Sequence, residues 1–375
     1  LVSGDVRTII VRPIMTDNPD LLETYRTMAA KQLAIGPLAF LNGSAGAGLT
    51  QRANRLGFDD ITISPRVLQD LCGGGTAIQL LNQSLKSPML VAPIAYQTLF
   101  APQGECATAM AAAAQGAGMV LSCQSATDMA KVQQAGEGNA TWFQMYWQAA
   151  GRAATLKLAD TAAATGFSAL VLTVDAPVNG VRDAEITAAF RLPPDVTAVN
   201  LTNAPQPEFA PLKSGESLLF DRVASCLPNW DDVAWLCRNA PLPVIVKGVL
   251  SPADAALAVT AGVRAVIVSN HGGRVLDGVP AAIAALPAVV DEVQGAVPVL
   301  MDSGIRRGSD IFKALALGAS AVLIGRPVMW GLVVNGAQGA SHVLRMLRDE
   351  LEVTMVLAGC RTIADITRDC VHLKR

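Results

Sequence analysis

From residue 88 onward, short apolar runs alternate with Ala-rich stretches of helical spacing, and this rhythm dominates the chain. The runs cover 89–92, 119–122, 142–146, 169–173, 244–247, 265–269, 299–302 and 321–324. They are continuous and rich in Val, Ile and Leu, as expected of strands covered on both faces. Between them, 105–116, 157–165, 252–261, 281–293 and 310–317 read as helices, with Pro252 and Pro280 where a first turn tolerates a missing N–H. Eight strands with helices between predict an α/β chain closed into a (β/α)8 TIM barrel. Residues 88–335 would form the barrel, with a helical cap segment before it (1–87) and helices after it (336–375), all in a single domain (1–375).

Residues 18–41 read as helices, with Asn18-Pro19-Asp20 a cap-like start. The glycine-rich stretch 42–48 reads as a flexible turn, since no strand precedes it and no Gly-Lys-Ser/Thr follows to make a phosphate loop. Gly73-Gly74-Gly75 reads as a connector. One connection breaks the rhythm. Roughly fifty residues follow Asp175 before a helix resumes near Trp230, and a loop of that length predicts a lid or a disordered segment. Within it, 191–228 is rich in Pro, Asn, Thr and Ser, including Leu192-Pro193-Pro194 and Ala204-Pro205-Gln206-Pro207.

The runs end in chemistry. In order they finish at Ala92-Pro93, Ser122, Gln144 with Tyr146, Thr173 with Asp175, Lys247, Ser269 with His271, Asp302, and Gly325-Arg326. Any one of these is an ordinary strand terminus. Their repetition is informative, because in a barrel all these ends meet at one face, where active sites lie.

Composition narrows the classes. Hydrophobic residues make up 51%, charged residues only 16%, and mean hydropathy is +0.37, as expected of strands enclosed by Ala-rich helices. No apolar run reaches the length of about 18 residues that a spanning helix needs. A net charge of −2 leaves no electrostatic footprint for nucleic acid. Residues 1–13 contain no apolar signal core, and the chain begins without Met. The seven Cys form no Cys-x-x-Cys pair, which reads as reduced, mostly buried thiols in a cytoplasmic protein. The three His and the acidic residues show no metal-ligand spacing, so no metal is expected.

The stretch 265–277 concentrates the candidate chemistry. A buried-strand pattern stops at Ser269-Asn270-His271-Gly272-Gly273-Arg274, followed by Leu276-Asp277. An imidazole at a strand mouth is a proton-transfer candidate, and a guanidinium three residues on is a carboxylate clamp candidate. A surface turn would also accommodate the pair; the recurrence of polar strand ends favours the catalytic reading. Asp302-Ser303-Gly304-Ile305-Arg306-Arg307-Gly308 and Gly325-Arg326-Pro327 read as a phosphate site, where glycine turns expose N–H groups and arginines neutralise charge. Its phosphate could belong to a cofactor or to a sugar substrate. Lys247 suits either a Schiff base or the stabilisation of an anionic ring. Asp175 suits an imidazole partner, a helix cap or a partner for Arg182. His342 and His372 read as structural or exposed.

Together these residues resemble the FMN-dependent 2-hydroxy acid oxidase and dehydrogenase family, which includes glycolate oxidase, lactate oxidase, mandelate dehydrogenase and hydroxymandelate oxidase. The similarity runs from about Tyr25 to Ile366. It rests on the 269–277 signature with Ala92-Pro93-Ile94-Ala95, Phe143-Gln144-Met145-Tyr146, Leu172-Thr173-Val174-Asp175-Ala176-Pro177, Val246-Lys247-Gly248-Val249 and the run from Phe312 to Ala319. The resemblance implies His271 as active-site base with Asp175 as its charge partner. It implies Arg274, supported by Arg182, on the substrate carboxylate and Tyr146 on the reacting oxygen. Lys247 would sit at the flavin N1/O2 edge. Pro93, Ile94, Ala95, Ser122, Gln144, Thr173 and Ser269 would meet the ring and ribityl chain. Asp302, Gly304, Arg306, Gly325 and Arg326 would meet the ribityl and phosphate end. Two positions depart from the family: Phe40 stands where a tyrosine is common, and Gln124 where glycolate oxidase has a tryptophan. Phe40 cannot donate that tyrosine's hydrogen bond, which implies a more weakly anchored carboxylate or a more apolar pocket, and Gln124 implies a more open pocket, suited to aryl or longer-chain acids. The expected activity is FMN-dependent oxidation of an (S)-2-hydroxy acid larger than glycolate to the 2-oxo acid, with O2 giving H2O2. A dehydrogenase using a quinone or other acceptor, or a lactate-type monooxygenase, is the alternative. An FMN-dependent isomerase or a phosphosugar lyase would share the barrel. The expected assembly is a cytoplasmic homo-oligomer, a tetramer or octamer, without a membrane anchor.

Overall fold

A computed structural model describes residues 20–139, 141–202 and 209–374. Eight parallel strands close into a barrel: Met89–Val91 (β1), Gly118–Ser122 (β2), Thr141–Met145 (β3), Leu170–Thr173 (β4), Val244–Val249 (β5), Ala265–Val268 (β6), Val299–Met301 (β7) and Ala321–Ile324 (β8). They pair in chain order and β8 closes on β1, with Leu323 opposite Leu90. Each expected strand is present to within two residues at either end. No helix of the described residues is long and apolar enough to cross a membrane.

A two-residue alternation sorts each strand between two cores. Met89, Val91, Met119, Leu121, Phe143, Leu170, Leu172, Val266 and Val322 face the helical shell. Leu90, Val120, Trp142, Val171, Ile245, Ile267, Leu300 and Leu323, one from each strand, fill the barrel interior. Both sets are apolar, so the strands read as unbroken runs. Two residues before these interior positions, the inward face holds small residues: Gly118, Ala169, Ala265 and Ala321. A hairpin of strands Ile78–Leu80 and Gln83–Leu85 inserts Leu80 and Leu85 into this interior cluster. The Trp142 indole N–H donates to Gln83 Oε1 at 3.0 Å, fixing the plug to β3. The turn 42–48 and the connector 73–75 gave no hint of this plug between 76 and 86.

Most of the helical shell follows its sequence pattern, and Pro252–Ala261 begins on proline as expected, but the helix expected at 157–165 starts earlier, at Arg152, and Met129–Ala135 is an additional helix. Pro280 differs. Its helix runs Ala282–Val293 with Ala281 as cap, so Pro280 precedes the helix, while Pro287 sits inside it. Helices Leu21–Gln32, Ile35–Asn42 and Leu49–Asp59 form the N-terminal segment. Asp20 caps the first, accepting N–H bonds from Leu22 and Glu23; Asn18 and Pro19 lie outside the described residues. So do residues 1–13 and the Ala204-Pro205-Gln206-Pro207 segment. The helix Arg326–Ala358 breaks at Asn335–Gly336, where Gly336 has φ 52°.

The long connection after β4 is more structured in its described part than its composition implied. It contains helices Asp183–Thr187 and Leu218–Asp221 and single turns at Val199–Leu201 and Val223–Cys226. Asn200 ties it to the barrel top, accepting from the Met129 N–H at 3.0 Å and donating to the Thr127 carbonyl at 3.1 Å. The cysteines depart from expectation: all seven are free thiols, but only Cys123, Cys360 and Cys370 are buried, and Cys72 is exposed.

Candidate active site

The inward alternation takes one more step at the C-terminal end of each strand. Two residues beyond the apolar interior positions come Ala92, Ser122, Gln144, Thr173, Lys247, Ser269, Asp302 and Gly325. The period that buries Leu90 or Ile245 therefore aims these polar or small groups at the barrel mouth. A cavity of about 400 Å³ opens there. It is lined by Phe40, Pro93, Ile94, Ala95, Ser122, Gln124, Gln144, Tyr146, Thr173, Arg182, Lys247, His271, Arg274, Asp302, Gly304, Arg306, Gly325 and Arg326, all singled out from sequence. Asp175 and Ser269 lie behind the wall rather than on it. Ser269, expected against a flavin ring, is fully buried and instead accepts hydrogen bonds from Lys247 Nζ and from the His271 N–H, each at 3.0 Å.

His271 is held from two sides. Its Nδ1 lies 3.0 Å from Asp175 Oδ1, which leaves Nε2 as the ring's other nitrogen. Its backbone adopts φ 57°, a left-handed value that His tolerates better than most residues, in a loop where Gly272 and Gly273 follow at φ 66° and 73°. A Cβ at Gly273 would come within 2.7 Å of the Gln51 backbone nitrogen, so only glycine lets the loop meet the helix Leu49–Asp59. That helix clamps the loop. Asn54 and Asn270 exchange reciprocal amide bonds at 2.8 Å, and Asp277 accepts from the Thr50 N–H at 2.8 Å. Asn270 and Asp277 thus hold the loop rather than the ligand.

Asp175 reaches His271 because of Gly248. The β5–β6 register shifts between Lys247 and Val249. Gly248 sits there at φ 112°, where a Cβ would lie 2.5 Å from that of Asp175. Burial pushes the Asp175 carboxyl up, but His271 and Lys247 outweigh it and hold it below the ordinary carboxylate value. Burial likewise opposes the Lys247 charge, yet Asp302, at 3.2 Å, and Asp175 raise its pKa above the ordinary value. Lys247 is therefore a firm cation, which removes the main requirement of a Schiff-base lysine, a depressed pKa. Burial, with Cys123 and Asp175 nearby, pushes the Tyr146 phenol well up, so it stays protonated and able to donate.

At the other end of the cavity, Arg306 and Arg326 are half-buried in its wall. Burial and Arg55 lower Arg306 to about 10; burial, Arg274 and Arg306 lower Arg326 well below its ordinary value. Arg326 donates to the carbonyls of Leu41, Gly272 and Gly43, at 3.1, 3.0 and 2.9 Å. A guanidinium has five N–H donors, so two remain for an anion. Among the described residues neither guanidinium has a carboxylate at ion-pair distance, so these two poorly solvated cations form a site that a phosphate would relieve.

The apolar wall is larger than the sequence suggested. Phe40 packs 5.4 Å from Phe190 and 6.3 Å from Tyr96, and the Arg274 guanidinium lies 5.3 Å above the Phe40 ring. Phe190 and Leu192 reach the cavity from the long connection. Glu185 also lines it, 3.1 Å from Arg182 and 3.2 Å from Arg274. Sequence reading missed it, although Arg182-x-x-Glu185 has the spacing of a helical ion pair. His342 lies outside the site, bonded to the Tyr25 hydroxyl at 2.6 Å.

Comparison with known proteins agrees with this geometry. The family described as FMN-dependent dehydrogenase matches residues 29–373. The chain is 53% identical to an L-lactate oxidase of Roseobacter sp. (strain GAI101), covering 94% of each chain. It is 44% identical to glycolate oxidase 3 of Oryza sativa subsp. japonica, covering 92% of this chain and 94% of that one. Among solved structures, a mandelate oxidase with benzoyl-formic acid superposes with a TM-score of 0.83 at 37% identity, covering 92% of this chain and 95% of the other. With its (β/α)8 barrel and polar strand-end face, the chain belongs to the FMN-dependent dehydrogenase family, among 2-hydroxy acid oxidases, and its cofactor is FMN.

Proposed function

We propose that this enzyme oxidises an (S)-2-hydroxy acid larger than glycolate, with an aryl or longer aliphatic side chain, to the 2-oxo acid, and that O2 is the terminal acceptor, giving H2O2. The observation that carries this reading is that His271, fixed by Asp175 at 3.0 Å, and Arg274 line the same cavity. The phosphate of FMN suits Arg306, Arg326 and Gly304, and Lys247 suits the electron-rich edge of its ring. Bound FMN supplies the acceptor for the electron pair.

The protein's own groups do the rest. Arg274, with Arg182, holds the substrate carboxylate through planar N–H donors. Tyr146 donates to the substrate's hydroxyl oxygen. His271 accepts a proton on Nε2, since Nδ1 is committed to Asp175, and the buried Asp175 carboxylate stabilises the resulting positive ring. Phe40, Tyr96, Phe190 and Leu192 exclude water from the side-chain end and offer an apolar surface. Gln124 stands on that wall without the bulk of an indole. The relatives named L-lactate oxidase support the handedness, and the mandelate oxidase neighbour supports an aryl side chain.

The test is a panel of 2-hydroxy acids in air, with oxo acid, O2 and H2O2 measured together. One peroxide per oxo acid, and faster turnover of mandelate or 2-hydroxyoctanoate than of glycolate, is expected. Fastest turnover with glycolate would overturn the size assignment. Turnover only with added dye would indicate a dehydrogenase, and a decarboxylated product without peroxide a monooxygenase.

A further inference from the structure

We propose that Glu185 is a built-in counter-carboxylate that limits the substrate end of the cavity to one negative charge, making the enzyme selective for 2-hydroxy monocarboxylates over dicarboxylates. This rests on the reading of Arg274 and Arg182 as the carboxylate clamp. A single oxygen, Glu185 Oε1, lies 3.1 Å from Arg182 Nη1 and 3.2 Å from Arg274 Nη2. All three side chains are only 16% exposed, so water screens them poorly. Two guanidiniums carry two positive charges; Glu185 takes one and leaves one.

The neighbouring acids do not change this count. Asp175 is bonded to His271 and faces Lys247, and Asp302 is paired with Lys247. Arg182 Nε is buried with no hydrogen-bond partner, a donor left for an incoming acceptor. One substrate carboxylate completes both the charge and the donor count. A second carboxylate would meet Glu185, the rings of Phe40 and Phe190 or the neutral amide of Gln124, and none of these supplies a balancing positive charge. Glu185 is a positioning residue: it arrives on the short helix Asp183–Thr187, three residues after Arg182, and acts on substrate through the two arginines.

The test uses FMN-loaded enzyme and two ligands without an α-hydrogen, 2-hydroxy-2-methylpropanoate and 2-methylmalate, titrated by calorimetry. Wild type is expected to bind the monoacid at least about tenfold more tightly, the scale of one unscreened charge at a few ångströms. Glu185→Gln should bring the two affinities within about threefold, and Glu185→Asp, which keeps the charge, should retain the preference. A purely structural role would weaken both ligands together and leave their ratio unchanged in Glu185→Gln; that result overturns the proposal. So does a wild type with no preference for the monoacid, a readout that needs no variant. A wild type that binds neither ligand and oxidises no 2-hydroxy acid would instead overturn the proposed function.

Discussion

The two ends of this barrel use the same eight strands and the same two-residue alternation, yet they share almost no chemistry. At the N-terminal end the inward face carries Gly118, Ala169, Ala265 and Ala321, with Leu80 and Leu85 of the hairpin packed into the interior cluster. At the C-terminal end the same face carries Ser122, Gln144, Thr173, Lys247 and Asp302, and it opens into a cavity. Only one apolar position per strand separates the two. Stability and function therefore occupy different steps of one ladder, and a substitution should affect one or the other according to its step.

The sharpest way to break this comparison is His271→Asn. Loss of the proton acceptor should lower kcat/KM by about 10²–10⁴-fold, with the melting temperature nearly unchanged. Arg274→Met should follow at about 2–4 kcal/mol of lost transition-state binding, read as a fall in kcat/KM, because Glu185 then offsets Arg182 and leaves no net positive charge for the substrate carboxylate. One step down the ladder, Leu323→Ala should reverse the pattern. It leaves a void in the interior and should cost about 2–5 kcal/mol in denaturant unfolding while substrate preference stays as in wild type. Phe40→Tyr adds one donor beside Arg274 and should tighten carboxylate binding only a few-fold, about 0.5–1.5 kcal/mol; unchanged affinity would count against the more weakly anchored carboxylate.

The smallest effect lies outside both ends. Burial lowers the His342 pKa below its ordinary 6.5, so the folded state favours the neutral ring. Below about pH 6.5 the unfolded chain takes up a proton that the native chain resists, and stability should fall as pH drops from there. Asp175 works in a lower window. Its depressed pKa contributes stability above the ordinary 3.8, lost only as pH falls through the folded value. His342→Gln should flatten the melting temperature between pH 7.5 and 5.5, and an unchanged slope would remove His342 as its cause.

Most of the barrel was legible in the sequence because its signal is local. An apolar run such as 321–324 specifies its own strand, and polar groups two residues past the interior position reveal where all eight ends gather. What escaped was long-range. Glu185 joins the site only because the chain from Asp175 folds back over the mouth. The plug between 76 and 86 has strands of three residues, too short for a period to show. Ser269 has the same polarity as its cavity-lining counterparts, but it is fully buried and bonded to Lys247, which does line the cavity, and that difference is set by packing. Gly248 carries no residue-level sign that it makes room for Asp175.

The most direct test is anaerobic mixing of the FMN-loaded enzyme with (S)-mandelate, followed at the flavin absorbance maximum. Wild type should bleach in a single rapid phase, while His271→Asn should bind the acid and stay yellow on that timescale. Bleaching of the variant at the wild-type rate would contradict the account, because the imidazole at the mouth of β6 would then not be the group that takes the proton.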